Sequence, residues 1–200
     1  MMKMIIYSDW NRDKKVSTHQ REDFCISWLA VNFLYRNDCY QEYIFEDFFA
    51  GFLPTKFHHE WKVEYQKSNE YLSNDPRVFR MQHDIFLTSK DRTNRQIIID
   101  TKYKLREQDF KSDPKKGVSQ GDIYQMVSYA FKRGVRDIIL VYPNVSEVLH
   151  SLDEFKIISG FDEKLEISIT ALEIPFWSVD DFSALDKKLF AAIETVLHRA

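Results

Sequence analysis

The chain has 200 residues, 44% of them hydrophobic, with sixteen Phe, ten Tyr and four Trp against only five Gly and five Pro, which excludes collagen-like, low-complexity and disordered chains and leaves room for one aromatic-rich core. No apolar run reaches the roughly 18 residues of a membrane span, the N-terminal apolar stretch is too short for a signal peptide, and Cys25 and Cys39 have no metal-type spacing, so a soluble, cytoplasmic protein with free thiols and no membrane partner is expected. The net charge of −3 excludes a globally basic nucleic-acid binder, yet Lys90 to Arg136 holds twelve Lys/Arg against six Asp/Glu, a local anion-facing region in an otherwise acidic chain.

The first twenty residues carry no pattern that places them. Residues 21–36 put Phe24, Trp28, Val31, Leu34 and Tyr35 on one helical stripe. Residues 40–53 predict a second helix, ended near Gly51 and Pro54. HEWKVEYQ (59–66) alternates as a strand does, and VFRMQHDIFL (78–87) reads as another strand after the turn signal SNDP. QIIIDTKYK (96–104) follows the polar turn SKDRTNR as a third strand, and 107–117 is a polar loop. Ser119 to Gly134 predicts a helix with a Ser cap, Asp122 in capping-box position, a Gly stop, and a buried stripe of Ile123, Met126, Val127, Ala130 and Phe131. DIILVYP (137–143) is a buried strand, 154–161 and 164–174 are paired strands, and 178–200 is a closing helix behind a Ser cap. The order is α-α-β-β-β-α-β-β-β-α, which predicts an α/β fold with a mixed central β-sheet flanked by helices.

The chemistry concentrates where the isoleucine strand ends. Alternation along a strand puts Asp100, Lys102 and Lys104 on one face. A carboxylate there can hold a divalent cation, and a lysine two residues on can orient or deprotonate a water or steady a phosphate's developing charge. Asp84 sits in another strand whose end can lie beside Asp100; two uncompensated carboxylates repel, and a hard divalent metal removes that cost. Gln125 and Tyr129, four apart, share a helix face that can border the site. Glu46, set among Phe45, Phe48 and Phe49, is a further acidic candidate. Lys104 and the basic loop from Arg106 through Lys115 and Lys116 are expected to hold a DNA backbone electrostatically, without reading sequence. His58-His59-Glu60 is no metal cluster on this reading, since neighbours on a strand point to opposite faces.

In this order, Glu46, Asp84, Asp100-Thr101-Lys102 and Gln125-x-x-x-Tyr129 resemble the PD-(D/E)xK nuclease superfamily, in the branch with a Gln-x-x-x-Tyr helix typified by RecB-type nucleases. More narrowly, IFEDFF, HDIFL, IIIDTKYK and GDIYQMVSYA look like the nuclease domain of McrC, the cleaving subunit of McrBC modification-dependent restriction systems, over residues 40–145. The resemblance implies a restriction-endonuclease-like core at 40–200, with residues 1–39 a helical lead-in left from a longer chain. It implies a Mg²⁺-dependent DNA endonuclease of antiphage defence, with Mn²⁺ able to substitute. Asp84 and Asp100 would be the metal ligands, Glu46 an accessory one, Lys102 the residue assisting the attacking water, and Gln125 and Tyr129 site-lining. His83 stands where that superfamily usually has proline. McrC proteins work with the AAA+ GTPase McrB through an N-terminal domain that the residues before position 40 are too few to form, so an McrB-like partner is the weaker implication. A RecB-like exonuclease, or a silent nuclease-like subunit serving DNA binding or assembly, are the alternatives.

Overall fold

A computed structural model describes residues 38–65, 70–104, 106, 113–144, 152–160, 166–175 and 182–198. The helix expected at 21–36, the Ser178 cap and most of the 107–117 loop lie outside these residues. The described elements run α1 (Asp38–Phe57), β1 (Trp61–Tyr65), β2 (Glu70–Asn74), β3 (Arg77–Met81), β4 (Ile85–Ser89), β5 (Gln96–Thr101), α2 (Gln120–Arg133), β6 (Asp137–Asn144), β7 (Asp153–Ile158), β8 (Glu166–Pro175) and α3 (Phe182–Leu197). Six strands form one mixed sheet in the order β1-β4-β5-β6-β8-β7, and β2 and β3 form a separate two-stranded ribbon. Strands β5, β6 and β8 are parallel neighbours, and the remaining pairs of the large sheet are antiparallel.

Strand alternation divides the core in two. Ile97, Ile99, Ile139, Val141 and Leu172 face the aromatic side of α1 together with α3. Ile98, Ile138, Leu140 and Ile169 face α2 through Met126, Tyr129 and Ala130. The result is a helix–sheet–helix sandwich, and it explains the isoleucine run: a strand covered on both faces has no polar side to alternate with. Ile97 and Ile98 are fully buried and Ile99 nearly so; truncating any of them to Ala would cost about 2–5 kcal/mol, so the strand that carries Asp100 is firmly held.

Three local expectations give way. Pro54 does not end α1, which runs on to Phe57. The ring of Phe57 stacks on Phe190 of α3 at 4.9 Å, and the Thr55 hydroxyl donates to the Gly51 carbonyl at 2.8 Å, so the last turn is held by packing despite the amide hydrogen that proline lacks. The stretch 78–87 is two strands rather than one: β3 leaves to pair with β2, residues 82–84 break the run, and β4 re-enters the large sheet. On α2 the Ser119 cap accepts from the Asp122 amide at 3.2 Å and Gly134 closes the helix at φ 67°, as expected. Its buried side, however, is Met126, Tyr129 and Ala130, while Phe131 is 67% exposed. Phe131 sits one residue off the stripe that meets the sheet, which hydrophobicity alone does not reveal.

Candidate active site

The site lies where the β4–β5 ladder stops. Ile85 pairs with Ile99, so one further step sets Asp84 opposite Asp100. The ladder does not continue, because the Asp84 carboxylate takes over: its Oδ2 accepts from the Thr101 amide at 2.7 Å and from the Thr101 hydroxyl at 2.7 Å. On the other side the Lys102 amide donates to the Val141 carbonyl at 2.8 Å, prolonging the contact with β6 past the last strand residue. Asp100 and Lys102 are thereby held on the α2 face of the sheet.

Lys102 ties the acids to the helix. Its Nζ is 2.5 Å from Asp100 Oδ2 and donates to Gln125 Oε1 at 3.2 Å. Gln125 Nε2 donates to the Tyr129 hydroxyl at 3.1 Å, which also accepts from the Gln82 amide at 3.4 Å. The Gln-x-x-x-Tyr spacing thus has a physical reading: the amide bridges lysine and phenol, and the phenol anchors the chain just before Asp84.

Burial and mutual repulsion dominate the electrostatics. Asp100 is 2% exposed. Burial first, and then the Asp84 charge, push its carboxyl from 3.8 up to about 7, against the pull of Lys102. Burial also raises Asp84, against its Thr101 hydrogen bonds and Lys102, with the Glu42 charge adding to the rise. Burial works against the Lys102 ammonium, but Asp100 outweighs it and holds the lysine above its ordinary value. Lys102 at rest is therefore a cation, not a base.

The other candidates are placed less uniformly. Lys104 turns to the start of α2, its Nζ 2.6 Å from Asp122 Oδ2 and 3.3 Å from Ser119 Oγ. Asp122 is held below the usual carboxylate range: burial opposes this, but Lys104 and Ser119 prevail. Arg106 departs from the expected DNA contact. Its side chain is fully buried, with its guanidinium 2.6 Å from Asp153, 3.7 Å from Glu173 and donating through Nε to the Lys116 carbonyl at 2.9 Å. Lys115 is exposed and Lys116 partly so, on a turn in which Asp113 accepts from the amides of Lys115 and Gly117 at 3.0 Å each. Among the described residues no three His, Cys, Asp or Glu side chains stand together as a ligand set, so Glu46 does not join Asp84 and Asp100 in one. Glu46 lies half-buried on α1, where its charge reaches Tyr65, whose hydroxyl donates to Asp47 at 2.6 Å.

No sequence signal marks Thr101 or Glu42 as site residues. The first lies between two residues of the other face and acts through both its hydroxyl and its amide. The second shows itself only once α1 is docked.

A divalent cation fits what is present. The donors are hard oxygens, Asp100 is buried with Lys102 against its Oδ2, and a cation between Asp84 and Asp100 relieves their repulsion. Two carboxylates suffice for Mg²⁺, which keeps waters and takes phosphate oxygens for the rest of its shell.

Fold and site together define a helix-sandwiched mixed α/β protein carrying two neighbouring acids and a lysine at one end of its sheet. The family described as "McrBC 5-methylcytosine restriction system component" matches residues 40–143, and the chain belongs to it. Its fold is similar to that of a chain in the refined half-complex of Thermococcus gammatolerans McrB AAA+ hexamers with bound McrC, with a TM-score of 0.57 and 12% identity. That likeness covers 78% of this chain and 33% of the other, so this chain spans about a third of the length of that relative. No curated protein matches the chain. Among the described residues no helix is long and apolar enough to cross a membrane.

Proposed function

We propose that the chain is a Mg²⁺-dependent DNA endonuclease, the cleavage subunit of an McrBC-like modification-dependent restriction system, with a PD-(D/E)xK-type site. The carrying observation is the juxtaposition of half-buried Asp84 and buried Asp100, both acids raised, with a charged Lys102 held against Asp100. Buried acids at odds with one another persist where they serve a site rather than the fold. Asp84 and Asp100 would hold the cation, which when bound supplies Lewis-acid polarisation of a phosphate and a more acidic water. Thr101 orients Asp84 through two hydrogen bonds, so that its second oxygen remains for a ligand. Lys102, positively charged and steered by Gln125, supports the attacking oxygen and the charge that builds on the phosphate, a task for a cation rather than for a general base. Tyr129 keeps Gln125 in place. Lys115 and Lys116 would contribute attraction to the DNA backbone, and Lys104 acts by fixing the start of α2. An McrB-like AAA+ partner is supported by family membership and by the likeness to a chain of an McrB–McrC assembly.

The test is supercoiled-plasmid nicking by the purified chain in Mg²⁺ and Mn²⁺, with Asp100→Asn as control. Metal-dependent nicking that falls at least about a thousandfold in the variant is expected. Equal activity in both proteins would remove Asp100 from the chemistry. Inactivity of the wild type even with an McrB-type partner present would favour a silent assembly subunit.

A further inference from the structure

The β2–β3 ribbon takes no part in the large sheet, and its exposed side chains contribute little to either core. Of the five residues of β3, four are exposed and only Met81 is buried. Phe79 is 72% exposed and adopts φ 61°. A left-handed backbone is costly for a bulky aromatic residue, and strain of this kind gathers at ligand sites. The ribbon's register pairs Tyr71 with Arg80 and Ser73 with Val78, and skips the intervening Leu72–Phe79 step. The break therefore falls where an exposed aromatic meets Leu72, 41% exposed, with Val78, 38% exposed, beside it.

This tip is positioned rather than left loose. Arg133 of α2 pairs with Glu70 at 3.0 Å, and Lys132 donates to the Leu72 carbonyl at 3.3 Å and Asn74 Oδ1 at 3.4 Å. At its base the Gln82 amide donates to the Tyr129 hydroxyl, which joins the ribbon to the hydrogen-bonded run ending at Lys102. Only four residues separate Phe79 from Asp84, so the five residue steps span at most about 18 Å of extended chain, or about five base steps of duplex DNA. Arg77 and Arg80 flank Phe79, and the Arg77 guanidinium lies 4.5 Å from the Tyr71 ring centre.

An apolar wedge between cations suits one occupant above others: a duplex whose phosphates meet the arginines and whose base stack meets the phenyl ring. We infer that the β2–β3 ribbon is a DNA-engaging arm of this protein, with Phe79 inserting against the bases a few steps from the scissile phosphate and Arg77 and Arg80 holding the backbone. This rests on the nuclease reading above and adds the element that grips and deforms the substrate. A two-stranded ribbon is also narrow enough to enter a DNA groove.

The experiment measures binding of the full chain to a short duplex carrying 2-aminopurine, with Ca²⁺ replacing Mg²⁺ to prevent cutting. Fluorescence anisotropy gives affinity, and 2-aminopurine emission reports unstacking. Wild type is expected to bind and to raise the emission. Phe79→Ala is expected to bind about tenfold more weakly, within the roughly 5- to 150-fold span of one lost stacking contact, and to leave the emission flat. Phe79→Trp should retain both. Phe79→Gly removes the backbone strain, so it should match or exceed the wild-type melting temperature while losing the emission change, an outcome that a merely structural Phe79 would not give. Arg77→Ala should keep the emission change and reduce the salt slope by about one. If wild type binds and nicks DNA while Phe79→Ala does the same with unchanged affinity and emission, the ribbon inference falls, the nuclease stands, and the tip is left as a protein-docking surface. If wild type neither binds nor nicks even with an McrB-type partner present, both readings fall.

Discussion

Arg106 and Asp100 both carry charge into the interior, on opposite terms. Around Arg106 one guanidinium gathers Asp153, Glu173 and the Lys116 carbonyl, Glu173 accepts from Asn144 at 2.6 Å, and the Tyr142 ring lies 5.8 Å away. Around Asp100 the neighbours work against the charge: burial and the half-buried Asp84 raise its carboxyl despite Lys102, and Asp84 is raised as well. The first arrangement joins the segment after β5 to β7 and β8 and asks for no ligand. The second is at odds with itself until a cation or a proton arrives. A buried charge that its neighbours favour belongs to the fold, and one that they disfavour belongs to the chemistry.

Lys102→Met gives the largest expected effect. Cleavage should fall about a hundred- to ten-thousandfold while the Mn²⁺ affinity is retained, because the positive charge is lost and both metal-binding carboxylates remain. Plasmid nicking combined with calorimetric metal titration reads both, and full activity would place the supporting charge elsewhere. Arg106→Met should do the reverse. It strands half-buried Asp153 and buried Glu173, destabilising the fold by about 3–5 kcal/mol in urea unfolding, while activity per folded molecule stays within about threefold. A specific loss of DNA binding in a fully folded Arg106→Met protein would restore the ligand role expected from sequence. Gln125→Ala should have the smallest effect, a roughly tenfold slower nicking step from a less well-steered Lys102, with little change in melting temperature. A loss as large as that of Lys102→Met would make Gln125 a direct participant.

The same contrast shows what the sequence could and could not tell. The mixed sheet, the capped α2, the β7–β8 pair and the meeting of Asp84, Asp100, Lys102, Gln125 and Tyr129 were legible, because strand alternation and i,i+4 spacing are local rules that this chain obeys. Arg106 was not, because its partners Asp153 and Glu173 lie on strands far along the chain, and a basic residue in a polar loop looks solvated until the fold closes over it. The break between β3 and β4 was hidden for a related reason. Val78 to Leu87 is apolar enough for one strand, and only pairing with β2 shows that the chain leaves the sheet. Glu46 illustrates the limit of motif order: an acid at the expected place in the sequence lies on a helix whose docking brings the Glu42 charge into range of Asp84.

The central claim is that Asp84 and Asp100 form a divalent-cation site, and the most direct measurement is thermal unfolding with and without Mn²⁺ across pH. Asp100 titrates near 7 in the folded chain against 3.8 ordinarily. Between those values the folded state keeps a proton that the unfolded state releases, so this group's contribution to stability declines as pH rises through that window. A cation must displace the same proton below about pH 7, so its stabilisation should grow as pH rises. The account predicts a Mn²⁺-induced rise of several degrees at about pH 8, a smaller one at about pH 6, and none at either pH in Asp100→Asn. A shift independent of pH, or one that persists in Asp100→Asn, would contradict it.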